Sequence, residues 1–132
     1  MDAFLAREAV QALEALSAVS SAAHLKGCLL GHKRGRRVIV EKVLPVPAGF
    51  DATLENMIRL DRIFCGRMVG FFAPRGSAFK KALLQPIACG RLFLSVQPRQ
   101  QGGLCLKPFL IDYDGRFSFT PVKLIREKEG RL

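Results

Sequence analysis

The chain has 132 residues, 49% of them apolar, and a formal net charge of +10. That length suits one domain that buries a single core without staples, and it leaves no room for a second. No apolar run approaches the roughly 20 residues of a membrane-spanning helix, and the start Met1-Asp2-Ala3-Phe4 carries an acid where a secretory leader has a basic segment, so a soluble cytoplasmic protein with no membrane partner is expected.

From Ala3 to about Val19 the residues Leu5, Ala9, Ala12, Leu13 and Leu16 recur at helical spacing, with Asp2 placed as N-cap, which predicts an amphipathic helix. Ser17, Ser20 and Ser21 loosen its end. Leu25 to His32 reads as a strand, and Lys33-Arg34-Gly35-Arg36-Arg37 joins it to the β-branched run Val38 to Val43. The pair is a hairpin with glycine at its tip. Four positive charges crowd that tip, and Glu41 is the one acid near it in sequence, so the tip is expected in solvent. Pro45, Pro47 and Gly49 end the second strand. Asp51 or Thr53 can then cap a helix whose Leu54, Met57, Ile58 and Phe64 face the core, with Gly66 as its stop.

Met68, Val69, Phe71 and Phe72 form a continuous apolar run of strand length, as in a strand buried on both faces. Gly70 inside it marks a bulge or a close backbone approach, and Pro74 takes the chain out of the ladder. Ser77 is set as N-cap of a short helix through Phe79, Ala82 and Leu83, which Pro86 ends. Leu92 to Val96 is a second continuous apolar strand. Leu104 to Ile111 is a further strand, which Pro108 interrupts and so places at an edge or a bulge. Asp114-Gly115 signals a hairpin, after which Phe117 and Phe119 alternate until Pro121 shifts the phase to Val122 and Leu124. The charged tail from Glu127 is expected to fray. The class is α+β or α/β, a single domain over 1–132 with a curved mixed β-sheet flanked by helices.

Little in this pattern carries chemistry of its own. Cys28, Cys65, Cys89 and Cys105 are scattered without a CxxC pair, three of them in apolar segments, so buried reduced thiols are expected. A zinc site from Cys28, His32 and distant cysteines matches no common ligand spacing. Asp112 and Asp114 flank a turn, where Asp is favoured for its own backbone bonds. Ser95 and Ser118 have no activating His or Lys near in sequence. Phe71, Phe72, Phe93, Phe109, Phe117 and Phe119 read as core rather than as a base-stacking platform.

Two stretches together resemble the JAMM/MPN family of zinc isopeptidases and their inactive relatives. Gly27-Cys28-Leu29-Leu30-Gly31, following a helix, is similar to the family's opening strand, where a Glu stands three residues before the first glycine; here that residue is His24. Val69 to Gly76, VGFFAPRG, is similar to the central strand that runs into the metal-binding His-x-His-Pro loop. Ala73 and Arg75 stand at the two histidine positions and Gly76 at the proline. The next helix keeps Ser77 but lacks the family's Asp, and Leu92 to Pro98 resembles the strand that follows. The resemblance runs over nearly the whole chain in element order, and it implies a JAMM- and cytidine-deaminase-like fold.

It also implies a pseudo-enzyme, with His24, Ala73 and Arg75 at vestigial metal positions and no zinc or other cofactor. Elementary chemistry agrees, since a catalytic zinc needs three His, Cys or carboxylate ligands and a guanidinium would repel the cation. The expected role is that of a protein-interaction or assembly module, as a homodimer or with a protein partner. The alternatives are a nucleic-acid or anion-binding module, using Lys33, Arg34, Arg36 and Arg37 or Arg75, and an enzyme of unrecognised chemistry.

Overall fold

A computed structural model describes residues 1–19 and 24–127 of the chain; Ser20, Ser21 and the tail beyond Glu127 lie outside the described residues. The elements in chain order are β1 (Asp2–Leu5), α1 (Arg7–Val19), β2 (Gly27–Arg34), β3 (Arg37–Pro45), α2 (Leu54–Ile63), β4 (Met68–Ala73), α3 (Ala78–Ala82), a 3-10 turn (Pro86–Ala88), β5 (Leu92–Pro98), β6 (Leu104–Tyr113), β7 (Phe117–Pro121) and β8 (Lys123–Arg126). They make one eight-stranded mixed sheet of order β7-β6-β5-β4-β2-β3-β1-β8 with helices packed on it, an α+β arrangement.

β4 lies at the middle of the sheet and is buried along its whole length, as its unbroken apolar run predicts. It pairs antiparallel with β2 and parallel with β5. Leu29 faces Gly70 while Leu30 faces Met68, which leaves Val69 as an extra residue in β4. On the other side of β2, Leu30 faces Lys42 and Gly31 faces Val40, so Glu41 is extra in β3. Two bulges flanking one short segment of β2 sharpen its twist. The strand backbones meet closely there. A Cβ on Gly70 would lie 2.4 Å from the Leu92 carbonyl oxygen, and one on Gly27 or Gly31 would lie 2.0 or 1.8 Å from those of Leu44 and Ile39.

Each face of the sheet has its own core. On one face Ala9 and Leu13 of α1 pack with Ala3, Leu29, Val40, Phe72, Leu94 and Leu106, joined by Leu124 of β8. Residues from both ends of the strand order meet in this cluster, so it is the inside of the curl, with α1 lying in it. On the other face Met57 of α2 and Phe79 and Leu83 of α3 pack with Cys28, Phe71, Phe93 and Ile111. Thr53 caps α2 and Ser77 caps α3, each side-chain oxygen accepting from a backbone N–H of the first turn.

The structure departs from the sequence expectations at four places. The helix expected from Ala3 begins at Arg7, because Asp2 to Leu5 is drawn out as a parallel strand between β3 and β8. Ala3 and Leu5 are fully buried on one face of the strand, and Leu5 with Ala9 and Leu13 also fits a helical spacing. The first hairpin is longer than expected, with β2 running to Arg34 and β3 from Arg37, so part of the basic segment belongs to the ladder. Pro108 is not at an edge, since β6 lies between β5 and β7. Its carbonyl accepts from Val122 N–H at 3.2 Å, so its missing donor points to the same place, where β7 has already ended. Finally, the last strand is two: β7 pairs with β6 and, one residue later, β8 pairs with β1. This single run thereby links the two edges of the sheet.

Candidate functional site

The end of β4 gathers the three residues to which the family resemblance points. Gly27 pairs with Phe72 across an antiparallel ladder, so His24, three residues earlier, comes to the end of the sheet that holds Ala73 and Arg75. Ala73 is fully buried in the α3-side core, whereas His24 and Arg75 are exposed. The Arg75 N–H donates to Gln97 Oε1 at 2.9 Å, which ties the loop to the end of β5. Among the described residues no group of three or more His, Cys, Asp and Glu could hold a metal ion. Chemically this end offers the Arg75 guanidinium, the His24 imidazole and the five-residue helix α3, too short for a substantial dipole.

The sequence groups Arg75 with Lys33, Arg34, Arg36 and Arg37 as anion-binding candidates, and the structure separates them. β2 runs antiparallel to β4, so its basic turn lies beside the start of β4. Arg75 lies past its end. Eight residues of β2 at 3.3 Å each put roughly 25 Å between the two, so they cannot hold one small anion.

The turn itself is a two-residue connection in which Gly35 takes a φ of +60°, the conformation that the first position of a type II′ turn requires. Its four cations are not equally available. Lys33 Nζ donates to the Gly90 carbonyl at 3.1 Å. Arg37 lies 3.7 Å from an Asp2 carboxylate oxygen and 5.8 Å from the centre of the Phe4 ring. Arg34 and Arg36 are exposed and make no ion pair among the described residues. His32, beside them, pairs with Glu41 at 3.1 Å.

An apolar groove of about 390 Å³ opens at the far side of the sheet, lined by Pro86, Cys89, Tyr113 and Phe117. Tyr113 is 54% exposed and packs against Phe117 with the rings tilted and 4.8 Å between their centres. Phe71, Phe72 and Phe93 are fully buried, but Phe109 and Phe119 are only partly covered, and Lys80 Nζ stands over Phe93, Phe109 and Phe119 at 4.9 to 5.7 Å. The Phe-rich set is thus half core and half rim. Its rim position follows from the pairing of β7 with β6, a long-range fact that alternation alone does not show.

The cysteines need a correction, because only Cys28 is buried; Cys65 and Cys89 are exposed and Cys105 is intermediate. Cys105 sits near the start of β6, while Cys65, with a φ of +51°, and Cys89 lie in connections that leave the core. Burial pushes the Cys28 thiol up from 9.0 to about 12, against a smaller opposite pull from Arg91. With the folded value above the unfolded one, the neutral thiol contributes stability that is present below about pH 9 and lost as pH rises towards 12. At pH 8, Cys65 and Cys89 should react with a thiol reagent within minutes and Cys28 only on unfolding. A fast Cys28 in the folded protein would contradict this packing.

The sequence reading misses one polar cluster altogether. Arg91 donates from Nη2 to Asp61 Oδ1 at 2.6 Å, from Nε to the Met68 carbonyl at 2.9 Å, and from Nη1 to the Ile87 carbonyl. It ties α2 to the start of β4 and to the 3-10 turn. No local motif announces it, since its partners lie 30, 23 and 4 residues away.

No family model matches the chain, and no curated protein matches it. Among solved structures, 82 chains do. One is the solution structure of protein DSY2949 from Desulfitobacterium hafniense, a structural-genomics target, with a TM-score of 0.63 and 20% identity over 96% of this chain and 94% of that one. At that identity the likeness shows the fold alone. Among the described residues no helix is long and apolar enough to cross a membrane.

Proposed function

We propose that this chain is a JAMM-like domain that works by binding protein rather than by catalysis, as an interaction or assembly module. Two features of the end of β4 support the non-catalytic part. Ala73 turns a methyl into the core where the family resemblance expects an imidazole, and Arg75 cannot lose its proton to become a ligand. The observation that carries the binding part is the groove of Pro86, Cys89, Tyr113 and Phe117, an apolar rim with an exposed aromatic. An exposed aromatic beside an apolar wall is a kind of surface in which protein contacts are enriched.

At low micromolar concentration the purified protein should sediment as a self-associated species or with a stoichiometric partner. Tyr113→Lys should release that assembly and leave the circular dichroism unchanged. A strictly monomeric, partner-free protein would count against the module. Elemental analysis should find no stoichiometric zinc; about one zinc per chain, lost on replacing His24 or Arg75, would overturn the non-catalytic part.

A further inference from the structure

We infer that the free edge of β7 is a docking lane for an extended acidic segment of a partner protein, which adds as a strand beside β7 in line with β1. This deepens the interaction-module reading and rests on it.

The lane follows from backbone bookkeeping, because the N–H and C=O of successive strand residues point to alternate sides. Ile111 donates to the Arg91 carbonyl at 2.9 Å and accepts from Gly90 N–H at 2.7 Å, so it faces β5. Leu110 and Asp112 therefore face β7, where Thr120 and Ser118 stand opposite them. Val122 N–H continues that side, donating to Pro108. By the same alternation Phe117 and Phe119 turn their N–H and C=O groups outward, and Pro121 its C=O. Farther along the chain this outward side is taken: Lys123 pairs with Asp2, and Glu127 N–H donates to the Leu5 carbonyl at 2.9 Å. β1 fills one half of the lane. No described residue fills the other.

The lane is one strand wide. On the far side of β1 lies β3, whose preceding turn residue Arg36 accepts from Asp2 N–H at 2.9 Å. A strand entering below β1 thus runs between β7 and the basic turn. Unpaired edge groups of this kind are templates for strand addition, which takes its affinity from main-chain bonds and its selectivity from alternate side chains.

Charge selects the occupant. The basic turn stands at the head of the lane through Arg36, with Arg34 behind it on β2, and among the described residues both are exposed and without ion-pair partners; Arg116 stands at the start of β7 and Lys123 where β1 begins. A second copy paired antiparallel about Phe119 would set Arg116 opposite Val122, beside Lys123 of the other copy, and like charges so placed repel. An acidic strand meets the same groups with attraction. Its residues facing the side of Phe117 and Phe119 meet aromatic rim, so alternation of apolar and acidic side chains fits best.

The test uses the full chain and a fluorescein-labelled octapeptide of alternating valine and glutamate, capped at both ends, read by anisotropy at low salt. This peptide should bind, and its valine-lysine counterpart about tenfold more weakly or not at all. Two further versions are N-methylated, one at the valines and one at the glutamates. Only one edge of an added strand faces β7, so one version should lose at least roughly 30-fold and the other should bind like the parent. The double variant Arg34→Gln, Arg36→Gln should weaken binding about three- to tenfold with unchanged circular dichroism. Equal binding by both methylated versions would overturn strand addition in favour of charge alone. So would a thymidine oligonucleotide that binds more tightly than any peptide and depends on the same arginines. Absence of peptide binding at low salt also overturns the lane; if the protein still sediments as an assembly unaffected by the double variant, the module reading survives, and if it is monomeric and partner-free, both fall.

Discussion

Gly31→Ala is expected to cost at least about 4 kcal/mol of folding stability, a large share of what an ordinary domain possesses. The added methyl would lie 1.8 Å from the Ile39 carbonyl oxygen and 2.9 Å from its carbon. Both are backbone atoms, fixed by the β2–β3 ladder next to the Glu41 bulge, so no side chain can rotate away to make room. Gly27→Ala should behave alike, with the Leu44 oxygen at 2.0 Å, and Gly70→Ala less severely, with the Leu92 oxygen at 2.4 Å. Gly49→Ala and Gly76→Ala make the control. Neither glycine has a positive φ and neither has an atom of a described residue within 4 Å of the new methyl, so each change should be neutral or stabilise by up to about 1 kcal/mol through the unfolded chain. Urea denaturation of the five variants checks the order. A Gly31→Ala protein as stable as its parent would show that β2 and β3 do not approach as described.

These three glycines also show what the sequence could disclose. Gly70 in an apolar run signals a bulge or a close approach, and the structure shows both, with Val69 extra beside it and Leu92 against it. The burial of β4, the caps at Thr53 and Ser77 and the glycine turn at Gly35 were legible for the same reason, because each depends on residues within one or two turns of the chain. β1 was not legible. Leu5, Ala9 and Leu13 satisfy a helical period, and only the distant strands β3 and β8 decide that Asp2 to Leu5 extends. The candidate site divided along the same line. Local motifs placed His24 just before β2 and Ala73 and Arg75 at and past the end of β4, but only the antiparallel pairing of those strands brings the three to one end. The distance of Arg75 from the basic turn depended on strand direction, which no motif encodes. The β7 edge escaped notice altogether, since β7 and β8 read as one strand until two different partners divide it.

Arg91→Ala should cost about 2–4 kcal/mol, less than a fully buried pair because the Arg91 and Asp61 side chains keep 19% and 34% of their exposure. The loss has two parts. Asp61 is left without its counter-charge, and the carbonyls of Met68 and Ile87 lose a donor in a place that water reaches poorly. Lysine cannot repair both. Its ammonium is a single point with no planar fork, so it cannot meet the three acceptors that Arg91 reaches from Nε, Nη1 and Nη2, and Arg91→Lys should recover less than half of the loss. Asp61→Asn keeps an acceptor for Nη2 and removes only the charge, so about 1 kcal/mol is expected. The backbone of Arg91 makes the position more costly still to disturb, since its carbonyl accepts from Ile111 N–H at 2.9 Å and so registers β5 against β6. A double-mutant cycle on Arg91 and Asp61, followed by urea denaturation, should give a coupling energy of about 1–2 kcal/mol. If Arg91→Lys proved as stable as the parent, the guanidinium would not be the tie between α2, β4 and the 3-10 turn, and their packing would rest on the apolar contacts of Met57, Phe71 and Ala88 alone.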